Sequence, residues 1–274
     1  MESNLISALE LEYSPVVLEW TNEKPEGAIE FGKQKWGCVM FHFAAALKGR
    51  TAVMSRETYG CQGGGVGMGF GNTYTAFPGG CECFYRFLAD GNESDPEGKK
   101  IGEMIENAGP REMGRDFLKG ERYLKDAETT RRFVASLPIQ EIPTDYVLFR
   151  RMEREDLDNE AVKSVTLVVN PDQLSALVVM ANHEHPEREN VGIPYGAGCQ
   201  VIGIFMYREA EKEHPRALVG LTDLSARKNL ERLIGKDKMT FSMTPKMFQW
   251  MEENVDTSFF KRHTWAALQE TTRP

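Results

Sequence analysis

Five cysteines stand in this chain of 274 residues, and four of them follow a glycine directly: Gly37-Cys38, Gly60-Cys61, Gly80-Cys81 and Gly198-Cys199. Cys83 lies two residues beyond Cys81. At ordinary glycine usage roughly one such pair at most is expected by chance. Glycine lets the backbone come close to a sulfur atom and turn its N–H groups toward it. The chemistry this pattern suggests is sulfur ligation. Four thiolates from separate segments can hold a [4Fe–4S] or [2Fe–2S] cluster, or a zinc ion. The compact Cys-x2-Cys spacings of ferredoxins and zinc ribbons are missing, and Cys81-Glu82-Cys83 is the single close pair. The plainer alternative is that several of these thiols are small core residues. Structural zinc usually knits a poorly cored domain, which a chain of this length does not need. A cradle rich in amides suits the hydrogen-bonded sulfurs of an iron–sulfur cluster, so the expectation leans to a cluster.

Residues 60–80 contain nine glycines in 21 positions and no charge. The stretch reads as a loop whose amides wrap a bulky or anionic group, with Gly63, Gly64 and Gly65 as candidate ligand contacts. Neither the dinucleotide spacing nor a Walker loop fits, because Phe70 stands where a third glycine belongs and no Gly-Lys-Ser/Thr follows. A metal-free alternative is kept: the loop binds an anionic small molecule and one cysteine of low pKa acts as nucleophile. Gly220-Leu-Thr-Asp-Leu-Ser-Ala-Arg227 ends a strand and starts a helix, a common place for ligand contacts. Asp223 and Arg227 are candidates there, against the reading of a helix cap and an internal ion pair. His183-Glu184-His185 reads as a solvated loop before it reads as a metal site, and His42 as a core histidine or a donor to sulfur. Methionines 239, 243, 247 and 251 read as core. No Gly-x-Ser-x-Gly elbow or Cys–His–Asn order marks a hydrolase.

These residues need elements to carry them. Period and punctuation predict helices over 38–48, from 83 to about 89, within 99–108, over 127–137, 171–182, 224–235 and from Pro245. Cys38 and Cys83 then begin helices, where the partial positive charge favours thiolate. Strands are predicted over 51–55, 145–152, 164–170, 216–221 and 238–244. Asn170 before Pro171, Asp126 and Asp223 are expected N-caps. Strands and helices alternate, which predicts an α+β (or α/β) fold with a mixed sheet flanked by helices. The chain reads as one globular unit with two lobes, a Cys/Gly-rich 1–93 and an α/β 161–274, joined by a charged segment 94–160.

Composition is that of a globular protein, 41% apolar and 27% charged, with a net charge of −8. Acidic balance argues against nucleic acid and against an anionic membrane surface as partners. The first twenty residues lack a basic start and an unbroken apolar run, and no stretch of ~18 apolar residues occurs anywhere. A cytoplasmic location is expected, where cysteines serve as ligands, nucleophiles or core residues more often than in disulfides. A redox partner or small-molecule ligand is expected. The aromatic tail of Phe259, Phe260 and Trp265 reads as exposed and permits a homodimer.

Residues 37–71, FPGGCECFYRFLADGN, GERY, NPDQLSALVVMAN, IPYGAGCQ, GLTDLSAR and MTPKMFQWMEENV together resemble an uncharacterised prokaryotic family, domain of unknown function 169, the archaeal cysteine-rich family. The likeness spans roughly residues 30–268. It implies a cytoplasmic protein common in anaerobes, with no established reaction. It places family cysteines at Cys38, Cys61 and Cys199. In the FPGG segment it implies a cysteine at Cys83 and an aliphatic residue at 81, where the glycine pattern alone points to Cys81. With that resemblance the expected ligand set is Cys38, Cys61, Cys83 and Cys199 around one [4Fe–4S] cluster with an electron-transfer or redox role. Zinc, or no metal, are the alternatives.

Overall fold

Near-continuous apolar runs in the central strands need burial on both sheet faces, and both are covered. The computed structural model describes residues 3–108 and 111–271. Its sheet has seven strands: β1 Val16–Thr21, β2 Ala52–Ser55, β3 Tyr146–Arg151, β4 Val162–Val169, β5 Val191–Gly192, β6 Ala217–Gly220 and β7 Met239–Met243. Their order is β2-β3-β1-β4-β7-β6-β5, antiparallel except for the β5–β6 pair, so the sheet is mixed and the fold is α+β. Strand β1, which the sequence reading passed over, lies between β3 and β4. Its signal is Val16-Val17-Leu18 directly after Pro15.

The chain divides into two compact units, residues 1–70 with 141–274, and residues 71–140. These bounds differ from the sequence-based lobes. The Cys/Gly-rich lobe is split near Gly71, and β3, which the charged segment contained, belongs to the sheet. Charge density marks solvated helix faces, and it does not mark where contacts stop.

In the first unit, one sheet face presents Val17, Val165, Leu167, Val169, Val219, Phe241 and Met243. Helix α1 (Asn4–Leu9) packs there, with further helices from the C-terminal half described below. The opposite face carries Leu18, Phe149 and Ala52, which are aligned across β1, β3 and β2. Helix α2 (Met40–Leu47) covers this part, with the His42 ring 5.8 Å from Phe149. Residues 62–68 form helix α3 (Gln62–Met68) where a loop was expected. Glycine costs about 1 kcal/mol per position in a helix, so α3 persists because its residues from Gly64 to Met68 are buried.

The second unit is helical: α4 (Gly80–Phe87), α5 (Pro96–Ala108), α6 (Arg111–Lys119) and α7 (Ala127–Ser136). Tyr74, Phe77, Phe84 and Phe117 stack at its centre. The buried Asn92 amide donates to the carbonyls of Cys83 and Phe117, at 3.0 and 3.1 Å. Asp126 caps α7 by accepting from the Thr129 amide, as expected.

Returning to the first unit, α8 (Pro171–Ala181) starts at Asn170 with a reciprocal cap: Asn170 accepts from the Gln173 amide and Gln173 accepts from that of Asn170. Next come α9 (Gly198–Gln200), a wide turn over Val201–Phe205, and α10 (Met206–Ala210). They lie on the same face as α2: the buried Ser164 hydroxyl of β4 donates to Ile202, and Val201 packs with Leu218 of β6. Then α11 (Leu224–Ile234) and α12 (Pro245–Asn254) follow. Helices α8 and α12 join α1 on the first face, with Leu177, Met180, Met247, Phe248 and Met251 in one core; Met243 faces it from β7. The expected exposure of the aromatic tail is corrected. In and before α13 (His263–Thr271), Phe260 and Trp265 are buried in that core, and the Trp265 indole donates to Ala8 at 2.9 Å. The tail spends its apolar surface within the chain, so its basis for a homodimer is lost.

Candidate metal centre

Three of the cysteines come together on the α2 face of the sheet. Cys38 lies two residues before α2, half-buried. Cys61 is the N-cap of α3, and its sulfur accepts from the Gly64 amide at 3.2 Å. Cys199 sits in the first turn of α9, buried, and its thiol donates to the Gly63 carbonyl at 3.4 Å. Each of the three pairs is electrostatically coupled: Cys61 with Cys38, and Cys199 with both.

Glycines let these segments interlock. A Cβ on Gly67 would stand 2.9 Å from the Cys199 sulfur and 3.0 Å from the Cys199 carbonyl carbon. Gly60 has φ +74 and would drive a Cβ to 2.4 Å from the Gly37 carbonyl. The Phe31 ring fills the space beside both Gly37 and Gly60, and it stacks on His42 at 4.0 Å. Of the glycines before these three cysteines, Gly60 brings backbone to backbone, whereas Gly37 makes room for Phe31 and Gly198 for Ala226, Met40 and Asp223. Cys61 and Cys199 each stand between glycine and glutamine, but Cys61 is a cap and Cys199 lies within a helix.

Burial dominates the electrostatics. It pushes the Cys61 thiol up to about 12, with Cys38 adding to the rise and amides of residues 61, 63 and 64 opposing it. Cys199 is raised well above its ordinary value by burial, then by Cys61, Cys38 and Asp223. Cys38 is raised by burial, against hydrogen bonds from the Met40 amide and the Asn229 side chain. No lysine or arginine is among the causes for any of the three. In the protein alone they are neutral thiols, and a cationic group would be needed to deprotonate them.

Asp223 and Asn229 frame the trio. Asp223 is buried and caps α11 through the Ala226 amide at 2.7 Å. Its other oxygen accepts from the Gly198 amide at 2.6 Å and so ties the Cys199 turn to α11. Burial raises its carboxyl above the ordinary value. Asn229 escaped the sequence reading. Helical phase gives its signal, since it lies three residues beyond the buried Ala226. Arg227 turns elsewhere: its guanidinium donates to the carbonyls of Leu221, Lys236 and Lys238 and touches the Met239 sulfur. These bonds tie α11 to the turn before β7, and the same side chain lines a cleft with Leu230, Glu231 and Lys236. Gly63 has open space where a Cβ would be, whereas Gly64 and Gly65 are buried in α3.

Cys83 belongs to the second unit. Its buried sulfur lies against Gly79, where a Cβ would approach to 2.4 Å. Burial raises its pKa, and Arg86, Asp95 and Glu97 supply the nearby charges. Helix α4 begins at Gly80, so Cys83 is a residue inside the first turn instead of the helix start. Cys81 is half-buried, with Tyr85 as hydrogen-bond partner. Among the described residues no three His, Cys, Asp or Glu side chains are arranged to hold one metal ion. His42 is buried and its pKa is lowered to about 4 by burial. His183 is exposed, and His185 stacks on Trp250 at 4.0 Å.

A family model described as uncharacterised ArCR, domain of unknown function 169, matches residues 4–254. The chain belongs to this family. All five cysteines of this ArCR protein, and Asp223 and Asn229 with them, fall inside the matched span. No curated protein and no solved structure matches the chain. Among the described residues no helix is long and apolar enough to cross a membrane.

Proposed function

We propose that this ArCR protein binds one iron–sulfur cluster, of the [4Fe–4S] type, and serves electron transfer or redox chemistry on a small molecule. The observation that carries the reading is the convergence of the Cys61 and Cys199 sulfurs on the first turn of α3, at the Gly64 amide and the Gly63 carbonyl, with the Gly37-Cys38 backbone closing on Gly60. Burial raises the pKa of all three thiols, which weakens them as nucleophiles. They suit a cationic cofactor, which would take them as thiolates and release their protons. Amides from residues 63 and 64, with the Asn229 side chain, supply the hydrogen bonds to sulfur that tune a cluster.

A cluster is favoured over zinc because backbone amides attend the sulfurs, with the Gly64 amide donating to Cys61 at 3.2 Å, and such hydrogen bonds tune the sulfurs of a cluster. Anaerobic purification followed by iron, sulfide and zinc analysis and a visible absorption spectrum tests the proposal. Expected is a brown protein with about four irons and four sulfides per chain, as a [4Fe–4S] cluster requires. A colourless protein that takes up no iron on anaerobic reconstitution would refute it, and stoichiometric zinc would transfer the site to the structural alternative.

A further inference from the structure

We infer that the cleft between α11 and the turn before β7 binds a small carboxylate with a short apolar chain. This site is independent of the cluster. The cleft measures about 190 Å3 and is lined by Leu221, Leu230 and Ile234 together with Arg227, Glu231 and Lys236. At the ~30 Å3 that a water takes in the liquid, it has room for a ligand of about six heavy atoms. Helical phase sets it apart from the thiols. Ala226 and Asn229 of α11 face the Gly198 turn and the Cys38 sulfur. Arg227, Glu231 and Ile234 lie about 80–140° round the helix from Ala226, at ~3.6 residues per turn.

Arg227 carries the assignment. Its Nη1 donates to the carbonyls of Leu221 and Lys238 and touches the Met239 sulfur, and its Nη2 donates to the Lys236 carbonyl. All of these partners are neutral, so they fix the guanidinium without compensating its charge. Among the described residues no carboxylate lies within ion-pair distance of it, and its Nε–H donates to no protein group. A guanidinium held in place by carbonyls and left without a counter-ion is preorganised for a carboxylate. The neighbouring cations have partners: Lys238 has Glu12 at 3.3 Å and Asp237 at 3.8 Å, and Lys236 has Glu231 at 3.9 Å. Leu221, Leu230 and Ile234 form an apolar wall that suits a hydrocarbon chain and gives nothing to a hydrated inorganic anion. Leu221 itself is held at φ +59, a left-handed backbone that strains a bulky residue and occurs most at ligand sites. Glu231 repels an anion in this cleft, which gives the test a second, opposite sign.

The test titrates sodium butyrate into the isotope-labelled full chain, with butanol and inorganic phosphate as separate controls, and follows backbone amide shifts by nuclear magnetic resonance. Butyrate should saturate with a dissociation constant on the order of 1 mM, as so few heavy atoms allow. It should move the amides of residues 227, 231 and 234–238 and leave those of 36–41 in place. Arg227→Lys should weaken binding roughly tenfold, because an ammonium cannot make the paired contact. Lys236→Gln should weaken it about twofold and Glu231→Gln should tighten it about twofold. Circular dichroism confirms the fold of each variant. If Arg227→Lys does not fold, the opposite signs at Lys236 and Glu231 decide. No saturable shift with butyrate, shifts outside the cleft, or an equal response to phosphate or to butanol would each overturn the site, and so would weaker binding in Glu231→Gln.

Discussion

In the first unit, three sulfurs meet backbone amides and one another; in the second, Cys83 meets Gly79 and the charges of Arg86, Asp95 and Glu97. Both neighbourhoods are built on tight glycine turns. The difference lies in what surrounds the sulfur. The trio is drawn from three stretches, near residues 38, 61 and 199, and no lysine or arginine is among the causes of its pKa shifts. The pair Cys81 and Cys83 is local, one turn of α4, with Arg86 in the last turn of the same helix. A glycine neighbour alone does not mark a site, since Gly80 before Cys81 has open space around it; convergence of several thiols does.

Substitution at the sulfurs should separate the two neighbourhoods most sharply. Cys61→Ser or Cys199→Ser should reduce bound iron to background, whereas Cys81→Ser should leave iron content unchanged; equal losses in all three would erase the contrast. Histidine protonation comes next. His42 has its pKa lowered from 6.5 to about 4, and it belongs to the trio's unit. A depressed pKa of this kind gives stability that is present above pH ~6.5 and is lost as pH falls toward ~4, by about 3 kcal/mol at the limit. All four tryptophans lie in the first unit, so denaturation followed by their fluorescence reads that unit. His42→Phe should flatten the pH dependence, and an unchanged slope would remove His42 as its cause.

Asp223→Ala should destabilise the apo protein by about 2 kcal/mol, combining a lost cap with an orphaned buried amide at Gly198. It should also loosen the Cys199 turn, seen as faster alkylation of Cys199 with Cys81 labelling unchanged. The smallest effects come from two glycines of α3. Gly67→Ala should cost about 1 kcal/mol net, because steric crowding of ~1–3 kcal/mol against Cys199 exceeds the gain in helix propensity. Gly63→Ala has open space and should stabilise by up to about 1 kcal/mol. Chemical denaturation measures both, and a stabilising Gly67→Ala would show that the trio is packed less tightly than its geometry implies.

Much of the scaffold was legible from local signals. Asn170 with Pro171, Asp126 and Asp223 cap the helices expected of them. The strands over 146–151, 162–169, 217–220 and 239–243 follow their short apolar runs. The glycine stretch misled, since local propensity favours a loop at 62–68 while burial against Cys199 stabilises a helix. The bonds from Arg227 to three carbonyls could not be read from the sequence, because Lys236 and Lys238 reach it only through the fold of the turn after α11.

By itself the sequence determined the α+β character, the caps, the family and which five residues carry a thiol, because these depend on local periodicity and residue type. The tertiary structure alone decided that Cys38, Cys61 and Cys199 couple, that Asp223 and Asn229 attend them, and that Cys83 packs in the other unit. That outcome is set by how the α2 face of the sheet brings residues ~140–160 positions apart into one buried space. Such long-range closure leaves no periodic trace along the chain.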